Sequence, residues 1–97
     1  MNQRFIRTEM MLGAGAMDKL RGSHVAVFGL GGVGSWCAEA LARAGVGKLT
    51  LIDQDTVGES NINRQLIALS STIGRPKAEV MARRIYDINP AILTRPI

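Results

Sequence analysis

Residues 25–36 read VAVFGLGGVGSW, an apolar run that breaks on Gly29, Gly31, Gly32 and Gly34. The stretch HVAVFGL, from His24 to Leu30, is short, rich in branched and aromatic residues, and followed by glycine, the pattern of a strand buried on both faces. At Val33 the period becomes helical. Val33, Cys37, Ala40, Leu41 and Ala44 form a stripe of mostly small residues, which Gly45 and Gly47 stop. A glycine loop between a strand and a helix suits a phosphate. Without Cβ the backbone turns tightly and approaches the ligand, and the free N–H groups at the helix start point at its negative charge.

Outward from this loop the chain alternates. Upstream, Gln3 to Leu20 predicts a helix in two pieces, interrupted around Gly13 to Gly15. Downstream, KLTLID (48–53) is a second buried strand ending on Asp53, followed by the polar, turn-rich segment DQDTVGESNINRQ (53–65). Pro76 announces a further helix with Met81, Ile85 and Ile88 on one face, Asn89 and Pro90 stop it, and AILTRPI (91–97) begins a third strand. The order helix, strand, helix, strand, helix, start of a strand predicts parallel strands joined by right-handed crossovers. This is an α/β fold, the N-terminal part of a Rossmann-like parallel sheet. It is incomplete, because such sheets carry more strands and have helices on both faces. A piece of a longer protein, or a module completed by another chain, is expected: a helical segment over residues 1–22 and the first half of a nucleotide-binding domain over 23–97.

Composition agrees with a small domain. Ninety-seven residues make at most one, and a chain of this size buries only about 60–65% of the surface its unfolded form exposes. With 46% hydrophobic and 21% charged residues, it holds no apolar run near the roughly 20 residues of a membrane helix. The start MNQRFIRTEM lacks the pattern of a secretory signal. Cytoplasmic localisation and no stable membrane association are expected. The single Cys37 has no partner for a disulfide and no CxxC neighbour for zinc. The net charge of +4 comes from scattered residues rather than a block. It reads first as a solvated face, and second as attraction for a polyanion such as ATP or RNA.

Asp53 follows Gly34 by nineteen residues, about where a carboxylate accepts hydrogen bonds from ribose hydroxyls. To this point an NAD site and an ATP site predict the same residues. The discrimination lies in SNINRQ (60–65) and the lysine beyond. A dinucleotide's pyrophosphate is held mainly by backbone dipoles, whereas a triphosphate brings more charge and a pyrophosphate leaving group. Arg64, amid Asn61, Asn63 and Gln65, and Lys77 at the next helix start are positioned to neutralise it. No Ser-His-Asp or Cys-His arrangement is available, and His24, the only histidine, reads as structural at the edge of the first strand. Cys37 reads as a small buried hydrophobe, and Trp36 as a packing residue rather than a base-stacking platform.

The motifs GLGGVGSW (29–36), LTLIDQD (49–55), SNINRQ (60–65) and GRPKAEV (74–80), with RFIR (4–7) and DINP (87–90), resemble the ThiF/MoeB/HesA superfamily of ATP-dependent adenylating enzymes related to ubiquitin-activating proteins. GGVGSW followed by AEALARAGVG (38–47) and SNINRQ is most similar to its tRNA threonylcarbamoyladenosine dehydratase branch; relatives that activate sulfur carriers differ by few residues in these motifs. The resemblance implies that Gly29, Gly31 and Gly32 line the nucleotide site with Asp53 on the ribose. It puts Asn61, Arg64, Gln65 and Lys77 around the phosphates and Asp55 in the acidic loop. Arg7 matches a residue that reaches into the other subunit's ATP site, which implies a homodimer. The implied catalytic residues are Arg7, Arg64 and Lys77.

The resemblance further implies Mg²⁺, with a metal-binding aspartate beyond residue 97 and no metal ligand within the chain. In adenylation the substrate carboxylate itself attacks the α-phosphate, so catalysis is positioning and charge stabilisation. The implied acceptor is the threonylcarbamoyl group on a tRNA adenosine, which then cyclises with loss of AMP; the alternative is a ubiquitin-like sulfur-carrier C-terminus. Two other classes stay open: an NAD-dependent oxidoreductase module and a non-catalytic scaffold fragment. The 97 residues alone are expected not to turn over.

Overall fold

A computed structural model describes residues 3–97. A short 3₁₀ turn leads into α1 (Ile6–Leu12) and α2 (Ala14–Arg21), divided at Gly13. There follow β1 (His24–Phe28), α3 (Gly32–Ala44), β2 (Lys48–Ile52), a 3₁₀ turn over Glu59–Asn61, α4 (Lys77–Ile88) and β3 (Leu93–Pro96). The three strands are parallel in the order β1-β2-β3, with Val27 opposite Leu51 and Leu49 opposite Thr94.

Both crossover helices cover the same side of the sheet: α3 packs on β1 and α4, and α4 on β2 and β3. The core between them is built from Val27, Leu49 and Leu51 of the strands, Ala38 and Ala42 of α3, and Ala78, Met81 and Ile85 of α4. In α4 the apolar spacing places Met81 and Ile85 inside with no exposure, and Ile88 half-buried against them. Asn89 ends the helix in an extended conformation before Pro90, as the residue preceding proline must. Glu39 of α3 pins the two helices together. Its carboxylate takes a two-pronged bond from Arg84 of α4 (2.7 and 2.9 Å) and a third from Arg43 (3.0 Å). The Arg84 hydrogen bonds hold the Glu39 carboxyl below its ordinary pKa, against the opposing effect of burial.

Two expectations are corrected. β1 is not buried on both faces, because it has one strand neighbour and helices on one side only. Val27 is buried and Val25 half-buried, whereas His24, Ala26 and Phe28 face out, Phe28 78% exposed. His24 is tied to its own sheet face through Nε2 and Thr50 Oγ1, 2.6 Å apart. The stripe on α3 is also rotated. Its buried residues are Ser35, Ala38, Glu39 and Ala42, while Val33, Cys37 and Ala40 are exposed, so Cys37 is not a buried hydrophobe.

The cause of this rotation is Gly34. A Cβ there would lie 2.8 Å from the carbonyl carbon of Gly29, and closer still to its oxygen. Only a bare Cα lets the first turn of α3 sit against the end of β1, and that contact chooses which stripe faces the sheet.

Candidate nucleotide site

The site is built at the carboxyl ends of β1 and β2, where ligands of open parallel sheets lie. Gly29 leaves β1 with φ +87°, a conformation that side chains disfavour, and its N–H donates to Ile52 O at 2.8 Å. Asp53, immediately after β2, reaches across to this turn: Leu30 N donates to its Oδ2 at 2.7 Å, and Asp55 N to its Oδ1 at 2.8 Å. Asp55 O in turn accepts the backbone N–H of Lys77 at 3.0 Å. One carboxylate therefore links the glycine loop, the acidic loop and the start of α4. Each of its oxygens keeps lone-pair capacity for a further donor.

The segment after the second 3₁₀ turn lies on the glycine loop. Positions built for a Cβ on Gly32 and Gly31 fall 3.8 Å from Arg64 Cγ and 3.6 Å from Gln65 Nε2. Gln65 is buried, and its Oε1 has no hydrogen-bond partner. Arg64 is exposed, its Nη1 donating to Ser60 O (3.2 Å) and Asn63 Oδ1 (3.0 Å). Lys77 is 7% exposed, and among the described residues its ammonium has neither an ion-pair partner nor a hydrogen-bond acceptor. The stem of Lys77 is buried while its ammonium keeps contact with solvent, which leaves that positive charge available to an anion.

The structure thus brings Gly29, Gly31, Gly32, Asp53, Asp55, Arg64 and Gln65 together, with the start of α4 at Lys77 tied to them. Asn61 plays a different part. Its Oδ1 accepts Gly58 N at 2.8 Å and its backbone carbonyl accepts Gln65 N at 2.9 Å, so it shapes the segment from beneath.

Arg7 is not brought to this loop. It lies on α1 two residues after Phe5, which approaches Gly45 at the far end of α3. The thirteen residues of α3 put about 20 Å of helix between that end and the glycine loop.

Ser35 and Trp36 escaped sequence reasoning as members of the site. Ser35 Oγ donates to Gly31 O (2.6 Å) and accepts Leu66 N (3.3 Å), while the indole of half-exposed Trp36 donates to Arg64 O at 3.4 Å. The available signal was a serine one turn into a helix that opens on glycines, where the hydroxyl reaches the carbonyl four residues back. A cavity of about 750 Å³ lies instead between residues 66–75 and α4, lined by Leu66, Leu69, Arg75, Val80 and Tyr86. It contains no glycine-loop residue, and its size does not outweigh the chemistry gathered at the loop. No three His, Cys, Asp or Glu side chains among the described residues cluster to hold a metal, and no helix there is long and apolar enough to cross a membrane.

A glycine turn between a parallel strand and its crossover helix, with an acid closing the next strand, defines the N-terminal part of a Rossmann-like domain. The chain belongs to the ThiF family, whose profile matches residues 3–97. It is 53% identical over 90 residues to the tRNA threonylcarbamoyladenosine dehydratase of Bacillus subtilis, covering 93% of this chain and 35% of that protein. It is 44% identical over 80 residues to the molybdopterin-synthase adenylyltransferase of Escherichia coli, covering 82% and 32%. The crystal structure of the E. coli tRNA N6-threonylcarbamoyladenosine dehydratase in complex with ATP superimposes with a TM-score of 0.96 at 49% identity, over 98% of this chain and 39% of that one. The chain spans about a third of the length of the curated relatives it matches.

Proposed function

We propose that the chain is the ATP-binding part of an enzyme that activates a carboxylate as an acyl adenylate. The observation that carries this reading is a pair of polar groups without partners among the described residues, the Lys77 ammonium at the end of a buried stem and the buried Gln65 Oε1. An anion answers the first and a donor the second. ATP offers both, and the space beside Gly29, where nothing lies within 4 Å of a Cβ position, is open to it. Gly29, Gly31 and Gly32 bind through backbone, Asp53 takes the ribose, and Asn61, Asp55 and Gln65 frame the pocket. Arg64 and Lys77 neutralise charge as it moves onto pyrophosphate. Arg64 must first give up its bonds within its own segment, so its engagement accompanies ligand binding. Mg²⁺ would arrive with the triphosphate. Among the described residues no cluster of three His, Cys, Asp or Glu side chains stands ready for it.

The carboxylate we favour is the threonylcarbamoyl group of a tRNA adenosine, whose hydroxyl then closes a ring and expels AMP. Identity of 53–57% to three bacterial dehydratases, against 44–45% to the E. coli molybdopterin-synthase and ThiS adenylyltransferases, supports it; the C-terminus of a ubiquitin-like sulfur carrier is the second reading. A tRNA substrate puts the enzyme in the cytoplasm. Arg7, remote from its own loop, serves the site of a second copy in a homodimer. In this reading residues 1–22, of which 1 and 2 lie outside the described residues, make up the helical arm and 23–97 the first half of the nucleotide domain.

Thermal shift with ATP against NAD, on wild type and Arg64→Ala, tests the proposal. ATP alone should stabilise, by roughly 1–3 kcal/mol at concentrations well above Kd, and the substitution should remove most of it. Stabilisation by NAD with no response to ATP would overturn it.

A further inference from the structure

We propose that Ser35 is a positioning residue that fixes the width of the nucleotide site; the inference rests on the ATP-binding reading above. Arg64 and Gln65 lie over Gly32 and Gly31, yet among the described residues neither side chain bonds to that loop. What holds them there is backbone on either side. Trp36 donates to Arg64 O, and Ser35 Oγ accepts from Leu66 N. Residues 64–66 are thus bracketed by two consecutive residues of the helix turn that begins on Gly32.

The two brackets differ in strength. The Trp36 bond is 3.4 Å long on a half-exposed ring. Ser35 has no exposure, and its single proton goes to Gly31 O at 2.6 Å, which orients a lone pair toward Leu66 N. Back-bonding to the carbonyl four residues earlier is ordinary for a helical serine and would satisfy its proton without further consequence. The second bond goes beyond it, because it spans 31 residues and joins the floor of the site to its roof through one oxygen. Alanine there removes the partner of the Leu66 N–H, and a part-buried amide without a partner seeks another arrangement or water. The segment carrying Arg64 and Gln65 then loses its register above the glycines.

Amide hydrogen exchange and ATP titration on wild type and Ser35→Ala test this. In the variant, exchange at Leu66 and its neighbours should accelerate about tenfold while the core amides of Val27 and Leu51 keep their wild-type rates. Kd for ATP should rise about tenfold. Uniform acceleration across the core would make Ser35 a general stability residue and overturn the proposal, as would unchanged exchange at Leu66. Wild-type ATP affinity in a variant whose Leu66 exchanges faster would sever positioning from binding and refute it too. Failure of the wild type to bind ATP would sink the functional reading itself, with the Leu66 exchange still reporting whether Ser35 holds the segment.

Discussion

The four glycines of the loop should separate into structural and ligand-facing classes, and alanine substitution tests the division. At Gly34 a Cβ would come within 2.8 Å of Gly29 C and nearer its oxygen, where real Cβ atoms do not approach below 3.0 Å. Both partners are backbone, so neither can yield by rotating a side chain. Either α3 lifts from β1, loosening the contacts of Ala38 and Ala42, or the Gly29 turn deforms. Overpacking of this kind costs about 1–3 kcal/mol or more, against a total stability of roughly 5–15 kcal/mol for a domain of this size.

Gly32 is the control. A Cβ there meets Arg64 alone, at 3.8 Å from Cγ and 3.9 Å from Cδ and the carbonyl oxygen, all ordinary contacts, and the residue is helical. Alanine at such a position is neutral or stabilising by up to about 1 kcal/mol. Melting followed by circular dichroism should show Gly34→Ala lowered by roughly 5–20 °C and Gly32→Ala within a few degrees of wild type. Isothermal titration should then show Gly32→Ala losing ATP, because its methyl group stands between the loop backbone and an approaching phosphate. Equal melting temperatures for the two variants, or undiminished ATP binding by Gly32→Ala, would refute the division.

Three further outcomes follow from the same geometry. Lys77→Met should keep thermal stability within about 1 kcal/mol of wild type, since Met retains the buried stem and removes only an ammonium without a protein partner, while raising Kd for ATP at least about 100-fold; calorimetry and titration of one sample check both, and a large fall in melting temperature would show that Lys77 has a structural partner instead. The folded state lowers the Glu39 pKa, so its stabilisation is present above the unfolded value of about 4.3 and is lost as pH falls through the folded value. Arg84 and Arg43 are 36% and 60% exposed, and solvent screening limits the effect to about 1 kcal/mol. Urea titrations should accordingly show wild type losing its advantage over Glu39→Gln between pH 5 and pH 3, and a pH-independent difference would exclude the linkage. In the intact enzyme Arg7→Ala and Arg64→Ala should each be inactive alone, yet an equal mixture of subunits should recover about a quarter of wild-type turnover, because half of the dimers carry one complete site. No recovery on mixing would argue that Arg7 serves its own chain.

The parts legible in the sequence were those governed by local backbone rules. The glycine loop, the break at Gly13, the start of α4 after Pro76 and the stop at Asn89 each depend on a few consecutive residues. The parts that were misread depend on partners distant in the chain. On α3 two stripes satisfy helical spacing, and hydrophobicity favours the one through Val33, Cys37 and Ala40. The structure buries the other although it contains Ser35 and Glu39. Gly34 sets the rotation from below, and each buried polar group finds a partner that only the fold provides: Leu66 N for Ser35, and Arg84 for Glu39.

β1 was assigned two buried faces on its composition alone, but burial of its second face requires a layer that α3 and α4 do not supply. Its register with β2 shows the consequence. Phe28 and Ile52 stand side by side on the open face, one exposed and the other half-buried.

The polar residues within a buried stripe are therefore the informative ones. A helix spends hydrophobic positions on its exterior only when another contact fixes its rotation, and the polar groups turned inward by that contact must be answered by long-range bonds. In α3 those bonds reach the two segments that matter most, Ser35 to the roof of the site and Glu39 to the helix that begins on Lys77. The close approach at Gly34 thus aligns more than a helix. By setting which residues of α3 face inward, it sets where Leu66 and Arg84 are gripped, and through them where Arg64, Gln65 and Lys77 stand relative to the loop.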